Sequence, residues 1–456
     1  MPPSPGAAKE WNMTWNPSVY DNGPVHITIP DFQYPDVAYF RNAWNSESGV
    51  DLQTDISAGS GPGIYWSPST IDRRDETRAS ARKEYYDPVY SKRPNLHLLT
   101  GQTVIEILFQ NLTASGVRMV SSANNCTSES FAKKEIILAA GAVKTPQLLQ
   151  VSGIGPKDVL KSAGIEVKKD VPAVGANFQD NPIVSMMFNI TSPSFPNPNT
   201  ISTNETYNAT VWNEYSVNRT GPIAAGRNSF GAFLSFPQLS NSTASIAAKL
   251  TAQNASHFLP SIYNFEPLLR GFEAQRKILA RKLTSSSDPI SFSSFRGIGL
   301  SPSALLSPLS RGTITLNQTN PWGEPVIQFN TLMNPIDTEV LLAIIKRQRA
   351  FWANPKLAPL GPIEIAPGTQ YQTDAEILSV ITKNGVLAPT FAHPSGTCAM
   401  IPEELGGCVS PELQVYGVKS LSIVDASILP LITGAGLQAT MYAVAEKAAD
   451  LIKARG

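Results

Sequence analysis

The segment that most limits the possible folds is a short apolar stretch followed at once by a glycine. Residues 135–140 read Glu-Ile-Ile-Leu-Ala-Ala, and Gly141 ends the stretch. A continuous apolar segment of this length is typical of a parallel strand that is buried on both faces. Thr145 and Pro146 follow, and Thr at the N-cap with Pro at the first helical position predicts that a helix begins there. The segment therefore predicts a strand, a glycine turn and a helix, the unit from which α/β folds are built.

A second unit of the same kind lies near the C-terminus. Residues 421–425, Leu-Ser-Ile-Val-Asp, read as a strand that ends in an acid, and apolar residues then recur at helical spacing: Leu437, Met441, Val444, Ala448, Leu451 and Ile452. Free N–H groups and a positive dipole end make such helix N-termini suitable for nucleotides. Residues 140–142 and 425–436 are therefore candidate contact points. No G-x-G-x-x-G follows an early strand, so a role in packing alone stays open.

The middle of the chain has a different composition. Residues 182–300 are dominated by Ser, Asn, Thr and Pro, which predicts a second lobe of antiparallel strands and long loops. Beyond it, Asp337 is predicted to cap a helix that continues through Phe351. The sequence thus predicts an α/β chain of two lobes, in the broad sense α+β.

Composition excludes several classes of protein. Lys and Arg together number 36 and so do Asp and Glu, so the formal net charge is zero, which argues against nucleic-acid binding. A hydrophobic fraction of 42% over 456 residues supports a large core. No apolar segment is long enough to span a membrane. The three cysteines form no metal clip, so no metal site is expected. Cys398 and Cys408 flank two glycines, and a disulfide and two free thiols are both consistent with this spacing.

Glycosylation signals are frequent in the chain. Asn-x-Ser/Thr sequences begin at Asn12, Asn111, Asn125, Asn189, Asn204, Asn208, Asn218, Asn241, Asn254 and Asn317. Chance explains single occurrences in a chain rich in Asn, Ser and Thr. The cluster from Asn189 to Asn254 nevertheless predicts a secreted glycoprotein, although the first residues do not resemble a signal peptide.

His393 is the candidate catalytic residue among four histidines. It lies in Phe391-Ala-His-Pro-Ser-Gly-Thr-Cys398, where small residues leave room for a cavity. An imidazole titrates close to neutral pH and is therefore suited to general-base catalysis. The alternative is a structural histidine. Ser395 lacks a Gly-x-Ser-x-Gly elbow, so a serine hydrolase is not expected.

Several long segments, in the same order, resemble the glucose–methanol–choline (GMC) oxidoreductase family, and in particular its fungal aryl-alcohol-oxidase-like branch. They are residues 78–88, 99–104, 140–156, 393–400, 415–430 and 437–447. The resemblance extends from about residue 24 to the C-terminus. It implies an FAD enzyme in which a histidine removes the proton of an alcohol while hydride passes to flavin N5, so that a small-molecule alcohol is oxidised.

The resemblance also implies domains and site residues. Residues 1–181 would be the remainder of a partial Rossmann-like FAD-binding lobe, 182–395 mainly the substrate lobe, and 396–456 the return to the FAD-binding lobe. His393 corresponds to the catalytic base. The positions that correspond to FAD contacts are Val104 at the adenine, Ala140 and Gly141 at the adenosine, and Asp425, Ala426, Gln438 and Ala439 around the flavin.

Two departures from the family pattern leave alternatives open. The Gly-rich pyrophosphate loop would precede residue 1, so a truncated chain with weak FAD binding is expected. Gly436 stands where the family has His or Asn as the partner of the base. A non-oxidative cyclase of fungal secondary metabolism, acting on a polyketide-like substrate, is one alternative function. An inactive binding protein is another.

Overall fold

Helices and short strands alternate along residues 2–59, 61–225, 229–295 and 297–455, which a computed structural model describes. The α-helices are α1 (Pro5–Trp11), α2 (Val37–Asn45), α3 (Gly141–Val151), α4 (Lys157–Ser162), α5 (Thr200–Thr203), α6 (Glu205–Asn218), α7 (Pro222–Ala225), α8 (Phe236–Leu239), α9 (Thr243–Ala252), α10 (Glu266–Thr284), α11 (Pro335–Trp352), α12 (Asp374–Lys383) and α13 (Leu437–Ala454). The strands are β1 (Gly63–Trp66), β2 (Ile71–Asp72), β3 (Thr77–Arg78), β4 (Gln102–Gln110), β5 (Thr113–Ser121), β6 (Thr127–Phe131), β7 (Ile136–Leu138), β8 (Ile154–Gly155), β9 (Lys169–Asp170), β10 (Ile183–Ile190), β11 (Phe230–Leu234), β12 (Ser291–Ser294), β13 (Leu300–Leu305), β14 (Thr313–Thr315), β15 (Val326–Gln328), β16 (Pro362–Ala366), β17 (Leu387–Ala388) and β18 (Leu421–Ile423).

One lobe, which we call the sheet lobe, is organised by an antiparallel sheet. Within the described residues the strand order is β1-β11-β12-β13-β10-β16, and β17 also pairs with β10. Strand side chains alternate between the two faces of a sheet. Val184, Met186 and Phe188 of β10 therefore share one face, where they pack in a buried cluster with residues of α2, α11 and α12. The predicted antiparallel second lobe is confirmed, together with helices that its composition did not indicate.

The other lobe, the parallel-strand lobe, contains the two predicted strand–turn–helix units. β7 and β18 pair in parallel, with Ile136 opposite Leu421. Leu138, Leu149 of α3 and Ile423 share a second buried cluster. The combination of this parallel pair with the antiparallel sheet confirms the predicted α/β, two-lobed fold class. No helix among the described residues is long and apolar enough to cross a membrane.

The sheet lobe takes its outermost strand from the first part of the chain. β1 pairs with β11, with Gly63 opposite Phe233. Residues of α2 also contribute to the core beneath that sheet. Part of the segment 1–181 therefore belongs to the sheet lobe, whereas the predicted boundaries placed the whole segment in the FAD-binding lobe.

The predicted start of α3 is wrong. The helix begins at Gly141, whose φ of +83° lies in the left-handed region that favours glycine. Ala140 is the N-cap, and Thr145 lies inside the helix, where its hydroxyl donates to Asp425. Pro146, also inside, lacks the N–H that would bond the carbonyl of Ala142. The hydroxyl of Thr397 donates to that carbonyl instead, at 2.6 Å, which explains how the helix tolerates the proline.

The predicted cap of α11 is also wrong. Asn334 is the N-cap, and its side chain accepts a hydrogen bond from the N–H of Ile336. Asp337 lies in the first turn, buried, and accepts from the N–H groups of Leu309 and Ser310 at 2.8 and 2.7 Å. The carboxylate thus fixes a neighbouring loop. Sequence spacing shows an acid near a helix start but not which backbone groups it serves.

Cys398 and Cys408 form a disulfide. Their Cα atoms are 4.9 Å apart, within the range that a disulfide requires. Both residues are buried in the core of the parallel-strand lobe. Of the two possibilities that the spacing left open, the structure has the disulfide.

A fully buried arginine joins three segments of the chain that are remote in sequence. Arg311 donates to the carbonyls of Pro308 and Ser310, to Asn177 Oδ1 and to Gln275 Oε1 on α10. Burial lowers its pKa to about 10, so the guanidinium keeps its charge at neutral pH. A buried charge is tolerated only when hydrogen bonds replace its hydration.

We expect Arg311→Ala to destabilise the protein strongly, because several buried acceptors lose their donor together. Truncating one member of a buried polar network costs about 3–5 kcal/mol. Urea unfolding followed by tryptophan fluorescence measures this loss. The control is Arg118→Ala, whose partners Glu106 and Glu129 lie on a strand surface. Equal stability of the two variants would contradict the role assigned to Arg311.

Candidate functional site

The backbone around His393 is held by the carboxylate of Asp180. Asp180 Oδ1 accepts from the backbone N–H groups of Phe391 and His393, both at 3.1 Å, and Oδ2 accepts from the hydroxyl of Thr390. Ala392, between the two N–H donors, has φ +61°. The carboxylate thus fixes a tight turn, and the turn fixes the position of the His393 backbone from which the imidazole projects.

The side chain of Asn181 determines which ring nitrogen of His393 carries the proton. Asn181 Nδ2 donates to the carbonyls of Leu305 and Leu306, at 3.0 and 3.2 Å, so its Oδ1 must be the atom that faces His393. That oxygen lies 2.9 Å from Nδ1. An amide oxygen only accepts, so Nδ1 is the donor in the neutral ring and Nε2 carries a free lone pair.

The surroundings of His393 keep it neutral at physiological pH. Burial of the half-buried ring lowers its pKa below the ordinary value of 6.5, and the nearby charge of Asp180 opposes this effect. The desolvation effect is the larger, so the net direction is downwards. A neutral imidazole with Nε2 free is the form that accepts a proton.

Nε2 points towards the start of α13. Gly436 is the N-cap of that helix, and a Cβ placed on it would lie 4.0 Å from His393 Nε2 and meet nothing closer. Gly436 provides no capping side chain, and the first N–H groups of any helix lack intrahelical partners. Gln438 and Ala439, in this first turn, are exposed, and Gln438 Oε1 accepts from the hydroxyl of Thr70. The helix end therefore offers donors and a positive dipole beside the base.

Asp425 connects the two strand–turn–helix units. Its Oδ2 accepts from the N–H of Gly141 and the hydroxyl of Thr145, at 3.0 and 2.6 Å, and its Oδ1 accepts from Ser427. The carboxylate is thus engaged within the protein. The adjacent Ala426 accepts from a backbone N–H of the His393 segment through its carbonyl.

Val104 and Ala140 lie together at a separate cavity of about 400 Å³. The cavity is also lined by Lys144, Leu148 and Trp322. A Cβ on the adjacent Gly141 would meet nothing within 4 Å, so the backbone there is open to a ligand. The structure therefore brings His393, Gly436 and Gln438 to one end of the site and Val104, Ala140 and Gly141 to the other, with Asp425 between the elements.

A row of aromatic rings next to His393 was not predicted. Ring centroids are 5.1 Å apart for Phe391 and His393, 6.4 Å for Phe292 and Phe391, and 4.6 Å for Phe233 and Phe292. Tyr65 continues the row at 5.7 Å from Phe233. Tyr65, Phe233 and Phe292 come from β1, β11 and β12, and Phe391 comes from the turn that precedes His393. Alternation within each strand indicates an inward face, but only the strand order reveals that the rings adjoin.

A neutral histidine base, an uncapped helix end beside it and an open backbone turn at a parallel strand together form a site suited to proton transfer next to a bound nucleotide. Comparison with known proteins specifies the class further. Residues 13–183 and 308–445 match the two family models described as GMC oxidoreductase. The chain belongs to the GMC oxidoreductase family, whose chemistry is FAD-dependent oxidation of CH–OH donors.

Individual relatives match nearly the whole chain, including the residues between the two family models. Dehydrogenase xptC of Emericella nidulans is 35% identical, and the match covers 99% of this chain and 72% of that protein. An FAD-dependent oxidoreductase from Chaetomium thermophilum superposes with a TM-score of 0.94 at 37% identity, over 100% of this chain and 78% of that one. A fungal aryl-alcohol oxidase gives 0.91 at 33% identity, over 99% and 76%.

The residues present fit both the adenine end and the flavin end of FAD. The cavity at Val104 and Ala140 is large enough for a base, and the open turn at Gly141 leaves backbone accessible. The first turn of α13 offers N–H donors beside His393. The individual contacts of Asp425, Ala426, Gln438 and Ala439 with FAD stay predictions.

The tautomer of His393 is directly measurable. With ¹⁵N-labelled histidine, we expect a neutral ring protonated on Nδ1 at pH 7 and a pKa below the ordinary value, because burial disfavours the charged ring. Asn181→Asp puts a carboxylate beside Nδ1 and raises that pKa. The signals of His26, His97 and His257 are internal controls. A ring protonated on Nε2, or a pKa that does not respond to Asn181→Asp, would contradict the assignment.

Proposed function

We propose that this protein oxidises the hydroxymethyl or carbinol group of an aromatic or extended polyketide-like alcohol. The observation that carries the proposal is the free Nε2 of His393 beside the aromatic row. Tyr65 and Phe233 are buried behind the row, so the partly buried rings of Phe292 and Phe391 are the ones that can meet a flat, conjugated substrate in offset or edge-to-face contact. The resemblance to an aryl-alcohol oxidase supports the same substrate class.

The residues of the chain supply proton transfer and orientation. A substrate hydroxyl within hydrogen-bond reach of His393 Nε2 gives its proton to that nitrogen, and Asn181 stabilises the resulting imidazolium by accepting from Nδ1. Bound FAD would supply the acceptor for the hydride of the carbinol carbon, so that an alcohol whose proton passes to His393 would lose two electrons and become a carbonyl. The positive end of α13, beside His393, would stabilise negative charge on a group bound there.

Gly436 supports a bulky substrate. At the position of Gly436 the family pattern has a His or Asn side chain, and this chain has open space beside Nε2 of His393. His393 therefore acts without a partner side chain from position 436. The same space is compatible with a cyclase, and the two functions differ in whether substrate reduces the flavin.

We expect His393→Ala to slow flavin reduction by an aryl alcohol by about 10²–10⁴, the usual contribution of a positioned general base. Stopped-flow absorbance of the flavin-loaded protein measures the rate. His257→Ala is the matched control, because His257 is exposed and its side chain contacts Asn254 and Phe258, which are not part of the aromatic row.

Loss of less than about threefold would assign a structural role to His393, since a positioned base contributes far more. Absence of flavin reduction in the wild-type protein, with conversion of a polyketide-like substrate, would favour the cyclase.

Gly436→Asn tests the space beside the base. The backbone of Gly436, at φ −57° and ψ 144°, accepts any residue, so the protein is expected to fold normally. We expect kcat/KM for bulky substituted alcohols to fall about tenfold relative to unsubstituted benzyl alcohol, because the amide fills the pocket. Gly434→Asn is the control two residues away, where an added Cβ meets only Pro289 at 3.9 Å. An unchanged ratio would exclude substrate from this space.

A further inference from the structure

The outer face of the sheet lobe has an apolar patch that the described residues leave uncovered. Met187 on β10 and Ile363 and Ile365 on β16 are 45%, 57% and 55% exposed. Their neighbours in the same strands, Phe188 and Glu364, are turned to the opposite face, where Phe188 is buried. We call these three exposed side chains the β10–β16 patch. Apolar side chains grouped in this way commonly mark a surface that is covered in the functional state.

Asn189 lies inside this patch and begins a glycosylation signal. It is two residues from Met187 on the same strand, so both side chains point to the same face. Asn189 pairs directly with Ile363, and directly opposed residues have Cβ atoms about 4.5–5.5 Å apart. The signal is Asn189-Ile-Thr191, and both Asn189 and Thr191 are exposed.

The outer edge of β16 is a second reason to expect that the β10–β16 patch is covered. β16 ends the strand order within the described residues, so its outer backbone edge has no partner strand there. An exposed apolar edge strand promotes pairing with other chains unless it is blocked. A bulky hydrophilic group attached within the patch blocks such pairing.

We propose that Asn189 carries an N-linked glycan that covers the β10–β16 patch, and that the chain therefore passes through the secretory route. In the modification, the Nδ2 of Asn189 forms a bond to the anomeric carbon of a lipid-linked oligosaccharide diphosphate. The bond from that carbon to the diphosphate breaks, and the amide proton leaves. The disulfide between Cys398 and Cys408 is consistent with an oxidising compartment. This inference does not depend on the proposed catalytic function.

The test uses the full-length protein expressed from its native gene in a filamentous fungus. Enzymatic deglycosylation in ¹⁸O water followed by peptide mass spectrometry identifies each modified asparagine. We expect Asn189 to be converted to labelled aspartate. Asn189 unmodified, whether or not other asparagines carry glycans, would overturn the proposal.

Covering of the patch is tested by variants of the same protein. We expect Asn189→Gln to bind more of a hydrophobic dye and to lose monomer on size-exclusion chromatography. Adding Ile363→Thr and Ile365→Thr restores the monomer, because threonine keeps strand propensity without the apolar surface. Asn241→Gln, at an exposed site before α9, is the matched control and remains monomeric. Monomer retained by Asn189→Gln, or a wild-type dimer through β16, would contradict covering by a glycan.

Discussion

The rest of the site depends on the hydrogen bonds made by one buried segment, residues 177–181. Gln179 pairs through its backbone with Ser395, and its side chain accepts from the N–H of Ile432 ahead of α13. Asp180 fixes the backbone of His393 and Asn181 fixes its ring. The base, the C-terminal segment and the sheet lobe are thus held by adjacent residues of a single strand-like stretch. Because each of these polar groups is buried, replacing any one leaves partners unsatisfied, so the geometry is stiff.

The His393 segment is also bound to the parallel-strand lobe on the cofactor side, by side-chain hydrogen bonds as well as backbone ones. Asp425 bonds the first turn of α3 across β7 and β18, and Thr397 supplies the donor that Pro146 cannot. The His393 segment therefore continues directly into the elements around Gly141. This continuity explains how a base in one lobe is positioned relative to a cofactor-binding turn in the other.

Sequence patterns predicted the parts of this arrangement that are local. The apolar stretch at 135–140 and the stripe along α13 gave a strand and a helix, and the segment around His393 drew attention to that residue. The N-caps of α3 and α11 were wrong because Thr145 and Asp337 bond to groups remote in sequence. The role of Asn181 and the aromatic row depend on which strands adjoin, and periodicity carries no information about strand order.

The central claim is that an aromatic alcohol is oxidised at its carbinol carbon beside His393. Anaerobic mixing of the flavin-loaded protein with benzylic alcohol, with and without deuterium at that carbon, tests this claim directly. The account predicts that the flavin absorbance bleaches, that the aldehyde appears, and that deuterium slows the bleaching because the C–H bond breaks in that step. A flavin that stays oxidised with every aromatic or polyketide-like alcohol tried, in a protein that retains it, would contradict the account.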